Sequence, residues 1–495
     1  MKKKRMIVLL MCIAVFGLLG GCSRDGNKSV EDADSITLKV IFPYVTNAPK
    51  AEDTEKVERA LSEIAQEKIG VNVDLQPISY SSWSEQFNLL MSGGEKADLI
   101  FSGPSHSSLS TVINKGYYIE MDELLEAYGQ GVLDAVGEYI AGGQVDGVTY
   151  AVPTIHDMAA ATGVIFLQEY VDKYQINPES IKTWEDLTAV LKTIKEGEGE
   201  NFYPLFLNGS QYTSLTTTFY DSLGDNLGTL SAGLENTEVV NIFETEEYRE
   251  RVALVRSWYE AGYINRDAAT TNITLIEAVK TGNIACWPSR TKPGAETIQE
   301  SSLGEDVTVI QIGESIVTTS SLQSALWSIP YQAEDPVKSM MLLNLMYSDE
   351  EFYNTLCWGI EGEHYVKTGD GHITYPEGTN SENSGWAMNI GWLLGNEFLS
   401  YVWEGTDLDI WEQTKAFNEA SRMSPAVGFV YEVADVATEY AACSSIKTEY
   451  QRALETGSME LERLDEMNQQ LELAGLQEII EEKQKQLDQY LAGRN

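Results

Sequence analysis

Nine side chains stand at or just beyond the ends of predicted strands or on nearby loops, and their types suit recognition better than bond-making. Trp287 and Trp386 offer flat apolar faces, and Tyr44 and Tyr212 add rings that carry a hydroxyl. Ser102, Ser105, His106, Asp157 and Arg290 supply donors, acceptors and charge beside them. Such a mixture fits a polar solute with one apolar side, because unpaired hydroxyls in a purely apolar slot would each cost about 1–3 kcal/mol. Signs of catalysis are sparse. His106, His156, His364 and His372 are scattered, no His-Glu-x-x-His run occurs, and the cysteines lack metal-ligand spacing. There is no P-loop, no Gly-x-Ser-x-Gly elbow and no dinucleotide glycine signature. Gly197-Glu198-Gly199-Glu200 is an acidic turn, and Asp407-Leu408-Asp409 reads more simply as acids at a helix start than as a calcium site. We therefore expect no catalytic residue, no metal and no cofactor. A surface glycoside hydrolase stays open as the alternative, since 76 acidic residues make a carboxylate pair possible by chance.

The elements that must position these residues alternate between strand and helix. Residues 36–42 read as a buried first strand, residues 54–69 as a helix stopped by Gly70, and residues 71–75 as a second strand. Residues 84–91 form a helix before Ser92-Gly93-Gly94, and residues 98–101 a third strand. This order implies a mostly parallel sheet whose strand ends face a ligand crevice. Gly147 to Pro153 forms a short crossing strand. A second α/β block follows, with strands expected at 163–167, 203–207 and 284–287 and a helix opened by Thr183-Trp184-Glu185-Asp186. The chain returns to the first block at 325–330 and enters a strongly apolar helix at 337–347. Its C-terminal third reads as helical, with stripes at Leu461, Leu464, Met467, Leu471 and at Ile479, Ile480, Lys483, Leu487, Tyr490, Leu491. Trp83, Trp184, Trp258 and Trp392 fall within helical patterns and are expected in the core. Two blocks joined by several crossings make a two-lobed molecule that closes by hinge bending.

Composition sets the setting. The chain has 495 residues, 34 basic and 76 acidic, with a net charge of −42. Such acidity repels phosphate backbones and anionic headgroups, so neither nucleic acid nor flat membrane binding is expected. Lys2, Lys3, Lys4 and Arg5 precede an apolar run at 6–19, shorter than the roughly 20 residues of a membrane-spanning helix but suited to a secretory leader. Leu19-Gly20-Gly21-Cys22 resembles the bacterial lipobox, which makes Cys22 the expected lipidation site and residues 1–21 the signal peptide. Residues 22–35 are polar and small, as a flexible tether would be. Cys286, Cys357 and Cys443 form no disulfide framework and are expected as buried thiols.

Three segments carry a family resemblance. They are residues 73–103, with Ser92-Gly93-Gly94 and Ala97-Asp98-Leu99-Ile100-Phe101; Gly147-Val148-Thr149-Tyr150-Ala151-Val152-Pro153; and Gly282-Asn283-Ile284-Ala285-Cys286-Trp287. The chain resembles the extracellular solute-binding lipoproteins of ABC importers in the maltose-binding-like class. Its tail resembles a subfamily with an unnamed C-terminal domain, through Gly359-Ile360-Glu361-Gly362-Glu363-His364-Tyr365-Val366-Lys367, Gly391-Trp392-Leu393-Leu394-Gly395-Asn396-Glu397-Phe398, Gly428-Phe429-Val430-Tyr431 and Glu439-Tyr440-Ala441-Ala442. Many sugar binders carry a tryptophan where Ser102 stands, so no particular sugar is implied. The resemblance implies an α/β, two-lobed periplasmic-binding-protein-like type II fold with hinge crossovers and a helical C-terminal region. Expected boundaries are lobe 1 at 36–155 and 325–372, lobe 2 at 156–324, and the C-terminal region at 373–495. It also implies a monomeric, membrane-anchored receptor outside the cytoplasm that captures a carbohydrate, most simply an oligosaccharide, and delivers it to ABC permease subunits. A peptide or other solute on the same scaffold remains an alternative.

Overall fold

The computed structural model describes residues 36–103, 108–208, 221–230 and 236–494. Cys22, Ser105, His106 and Tyr212 lie outside them.

The first sheet forms because apolar residues dominate Ile36–Tyr44, with Leu38, Val40, Ile41 and Phe42 all buried. This strand pairs in parallel along its whole length with Val71–Ser79, from Ile36 opposite Val71 to Tyr44 opposite Ser79. The full order is Val71–Ser79, Ile36–Tyr44, Leu99–Ser102, Leu326–Ser328, Val152–Pro153. The helix Ala51–Ile69 between the first two strands ends at Gly70, whose φ of 71° lets its N–H close on Ala65 O and Gln66 O. Trp83, Phe101 and Trp327 pack edge to face at 5.7 and 6.3 Å in the core beneath the sheet. The returning strand Leu326–Ser328 lies antiparallel to Leu99–Ser102, and the apolar helix Pro336–Ser348 follows it.

The second sheet has the order Cys286–Thr291, Ala160–Leu167, Val307–Val317, Arg422–Met423. Its core holds Trp184, Trp258 and Trp287. The expected strand at 203–207 reduces to Leu205, which bridges Ile264 and Cys286. The Thr183–Asp186 box does form: Thr183 N donates to Asp186 Oδ2 at 2.9 Å and Asp186 N to Thr183 Oγ1 at 3.3 Å. It closes a turn, and the α-helix proper starts one residue later at Leu187.

A third core lies under the helices Ala437–Glu455, Glu462–Leu473 and Leu476–Gly493. The helix Glu246–Glu260 joins it to the second. Tyr248 and Val252 enter the third core, while Val255 and Trp258, one and two turns on, enter the second. Between Trp358 and Ile410 the chain makes only short strand pairs and 3-10 turns, so the C-terminal third is helical chiefly from Ile410 onward. No helix among the described residues is long and apolar enough to cross a membrane.

Candidate functional site: an aromatic cavity at the crossings

The direction of the second sheet decides which side chains meet the crossings. Ala160–Leu167 starts at the first crossing, and Cys286–Thr291 runs antiparallel to it, with Trp287 opposite Ile165 and Thr291 opposite Ala161. Trp287 is thus well inside the lobe, 1% exposed, and its ring belongs to the core. The next residue past the strand, Lys292, arrives beside Asp157, with its Nζ 3.0 Å from Asp157 Oδ2. Asp157 Oδ1 lies 3.2 Å from His156 Nδ1, and His156 Nε2 lies 3.4 Å from Ser324 Oγ on the return crossing. Burial alone would push the Asp157 carboxyl up, but His156 and Lys292 outweigh it and hold the group well below the usual carboxylate range.

Asp157, Lys292 and Glu397 border a cavity of about 250 Å³. Its far wall is aromatic, with Trp358, Tyr401, Trp403 and Trp411 all half-buried. Ser400 organises two of these rings. Trp358 Nε1 donates to its Oγ at 3.0 Å and Trp411 Nε1 to its carbonyl at 2.7 Å. Trp403 meets Trp358 in a T-shaped arrangement at 5.3 Å and lies tilted against Tyr375 at 4.5 Å. Asn389, whose backbone is left-handed at φ 52°, borders the same cavity. Glu397 packs against Gly391, where a Cβ would stand 2.8 Å from Oε1. Burial pushes its carboxyl up to about 7, against the pull of His156 and Lys292.

A second cavity of about 310 Å³ lies at the C-terminal end of Leu99–Ser102. Ser102, Ser108 and Gln323 border it on one side; Asp221, Asp225, Tyr431 and Tyr440 border it on the other.

The structure therefore separates the nine candidates. Asp157 reaches the first cavity and Ser102 the second. Trp386 is a correction: it is 2% exposed in the first core and donates from Nε1 to Leu356 O at 3.0 Å, so it offers no face to a solute. Trp287 is a second correction, for the reason given above. Tyr44 packs against the first core, and Arg290 is exposed; neither borders these cavities. Of the four tryptophans expected in the core, Trp83, Trp184 and Trp258 are there, whereas Trp392 is half-buried and meets the His156 ring in a T-shaped arrangement at 6.2 Å. Lys292, Glu397 and the rings at 358, 401, 403 and 411 escaped the sequence reading. The strand expected at 284–287 is Cys286–Thr291 and runs through Pro288, which an edge strand tolerates because the missing N–H costs no ladder bond. The loop after this strand consequently begins four residues later than the expected strand at 284–287 implied.

Among the described residues, Asp53, Glu363 and His364 place ligand-type atoms within 4.8 Å of one another. They fit a cation poorly. Ile360 N–H donates to His364 Nδ1 at 2.9 Å, which leaves the proton on Nε2, aimed at Asp53 Oδ1 3.3 Å away. Lys56 already pairs with both carboxylates, at 3.2 Å from Asp53 and 2.6 Å from Glu363. Gly359, at φ 81°, admits the imidazole, since a Cβ there would lie 2.4 Å from Nδ1.

Residues 51–351 match the model of the bacterial extracellular solute-binding protein family, and residues 425–492 match a domain of unknown function. The chain belongs to the extracellular solute-binding family. It is 26% identical, over 99% of both chains, to a carbohydrate ABC transporter substrate-binding protein of Streptococcus pneumoniae. It is 19% identical, over 78% of both, to a polygalacturonan/rhamnogalacturonan-binding protein of Bacillus subtilis. Among solved structures, the N-glycan transport solute-binding protein of S. pneumoniae matches with a TM-score of 0.81 at 23% identity, covering 93% of this chain and all of that one. The two-lobed fold is thus shared with solute-binding proteins. The tail match at 425–492 falls on the three C-terminal helices and the turn before them.

Proposed function

We propose that the protein is a receptor that captures an oligosaccharide in the aromatic cavity at the crossings and hands it, chemically unchanged, to the permease of an ABC importer. The carrying observation is the make-up of that cavity. Four half-buried rings face the Asp157–Lys292 pair across a space bordered by both the second lobe and the Trp358–Thr414 segment. Rings cover the C–H side of a pyranose while Asn389, Asp157, Lys292 and Glu397 pair with hydroxyls. The family membership and the carbohydrate-binding relatives support the same reading. Hinge closure is supported by a detail of the structural match. The N-glycan-binding neighbour fits with a TM-score of 0.81 where no sugar is named and 0.66 in its Man5GlcNAc complex. A ligand touching both lobes favours the closed state by the contacts made only there.

The same reading includes Cys22 as a lipid anchor outside the cytoplasm, a monomeric state, and lobes at 36–155 with 325–372 and at 156–324, followed by the region 373–495. Micromolar affinity corresponds to about −8 kcal/mol, within reach of stacked rings and paired hydroxyls after ordering costs. Calorimetry and thermal shift against a panel containing Man5GlcNAc, nystose and maltopentaose test it. We expect a raised melting temperature with at least one sugar, recovered intact. A glycosidase reading has one observation in its favour. Glu397 has a raised pKa and Asp157 a lowered one in the same cavity, the division of labour of an acid and its partner carboxylate. Shortened products after overnight incubation would establish that reading and defeat the receptor.

A further inference from the structure

We propose that this protein selects uncharged oligosaccharides and rejects polyuronates, because each of the two cavities described above is bordered by more carboxyls of the protein than cations. The inference rests on the receptor reading and sharpens its ligand class. At the crossing cavity the bordering cation is Lys292, and its ammonium is bound to Asp157 at 3.0 Å. His156 stands behind Asp157 and points Nδ1 at the same carboxylate. Lys367 lies over the Tyr401 ring at 4.6 Å, but its ammonium is 3.2 Å from Glu361. Glu397 adds a second carboxyl to the wall. Arg290 is exposed and does not border the cavity.

The second cavity repeats the pattern. Asp221 and Asp225 border it, and the ammonium beneath them, Lys483, is spent on Asp225 Oδ1 and on the carbonyls of Leu227 and Gly228. Lys447 donates to the Asp225 carbonyl. A galacturonate entering either cavity would bring a carboxylate against two protein carboxyls, with at most one bordering ammonium, that of Lys292, whose charge is already matched by Asp157. Desolvating that anion unpaired costs far more than burying a hydroxyl that finds a partner. The overall charge of −42 points the same way but acts weakly, since at physiological salt the Debye length is about 8 Å. The local pairs decide the selection.

The test compares a neutral panel (Man5GlcNAc, nystose, maltopentaose) with pentagalacturonate by calorimetry on the full mature chain, at 0.15 M and 0.5 M salt. We expect binding of at least one neutral sugar and at least a hundredfold weaker binding of pentagalacturonate at both salts. Asp157→Asn releases Lys292 and is expected to raise affinity for pentagalacturonate at least tenfold, with Glu397→Gln adding to the gain. Pentagalacturonate binding as tightly as the best neutral sugar would overturn the selection and leave the carbohydrate receptor standing. A preference that vanishes at 0.5 M salt, or an Asp157→Asn protein that folds normally and gains nothing, would overturn its local origin. Failure of every sugar, neutral and acidic, would overturn the receptor reading and this inference together.

Discussion

Two lysine–aspartate pairs use the same chemistry to different ends. Lys483 has no solvent exposure, and its three N–H groups meet Asp225 Oδ1 at 2.7 Å, Leu227 O at 2.6 Å and Gly228 O at 3.1 Å. Tyr431 covers it at 4.6 Å. Lys292 keeps a third of its side chain exposed and, among the described residues, pairs with Asp157 at 3.0 Å. The first pair is a fully satisfied pin that fastens the last helix to the segment before Thr229. The second is a partly exposed pair bordering a cavity, and in the proposed receptor a ligand hydroxyl takes up the remaining donors. Burial with complete pairing fixes structure, whereas partial exposure leaves bonding capacity for recognition.

The largest effects should separate these roles. Lys483→Ala strands Asp225 and is expected to cost about 3–5 kcal/mol in urea unfolding. The double variant Lys483→Met with Asp225→Asn should recover part of that loss, and strict additivity of the two changes would refute the pairing. Trp287→Ala removes a core ring and should cost a similar 3–5 kcal/mol while leaving sugar affinity of the folded protein unchanged. Its counterpart Trp403→Ala should do the reverse, with at least a tenfold loss of affinity in calorimetry and a melting temperature shifted by only a few degrees.

A smaller effect follows from Glu397. Its carboxyl is raised from 4.5 to about 7, so the folded chain holds that proton more tightly than the unfolded chain does. Stability from this group is complete below pH 4.5 and declines as pH rises toward 7. Melting temperature measured across that window should fall less steeply in Glu397→Gln; an unchanged slope would remove Glu397 from the argument. The smallest effect is expected at Lys292→Ala without ligand, under about 1 kcal/mol, because the pair is partly solvated.

Much of the first lobe was legible in its residues. The apolar run in 36–42, the glycine stop at 70 and the helical spacing from 54 are local signals, and each element lies where they put it, lengthened at its ends. The buried thiols were legible too. Cys286, Cys357 and Cys443 are free and buried, and burial pushes each thiol pKa up. Lys483 lies in the apolar stripe of the last helix, but only its contacts with Asp225 and the carbonyls of Leu227 and Gly228 explain a charge at that position. The candidate site was far less legible. Trp287 and Lys292 are five residues apart on one chain direction, and only pairing with Ala160–Leu167 reveals which of them reaches the crossing.

What the amino-acid sequence determined by itself was the order of elements, their two-block grouping and the acidic character of the surface. These depend on periodicity, caps and charge within short windows. The tertiary structure alone decided that an edge strand runs on through Pro288, that Ser400 gathers two indoles, and that Asp157 meets a lysine 135 residues further along. Those outcomes depend on sheet direction and on contacts between distant segments, and side-chain type in a local window carries no record of either.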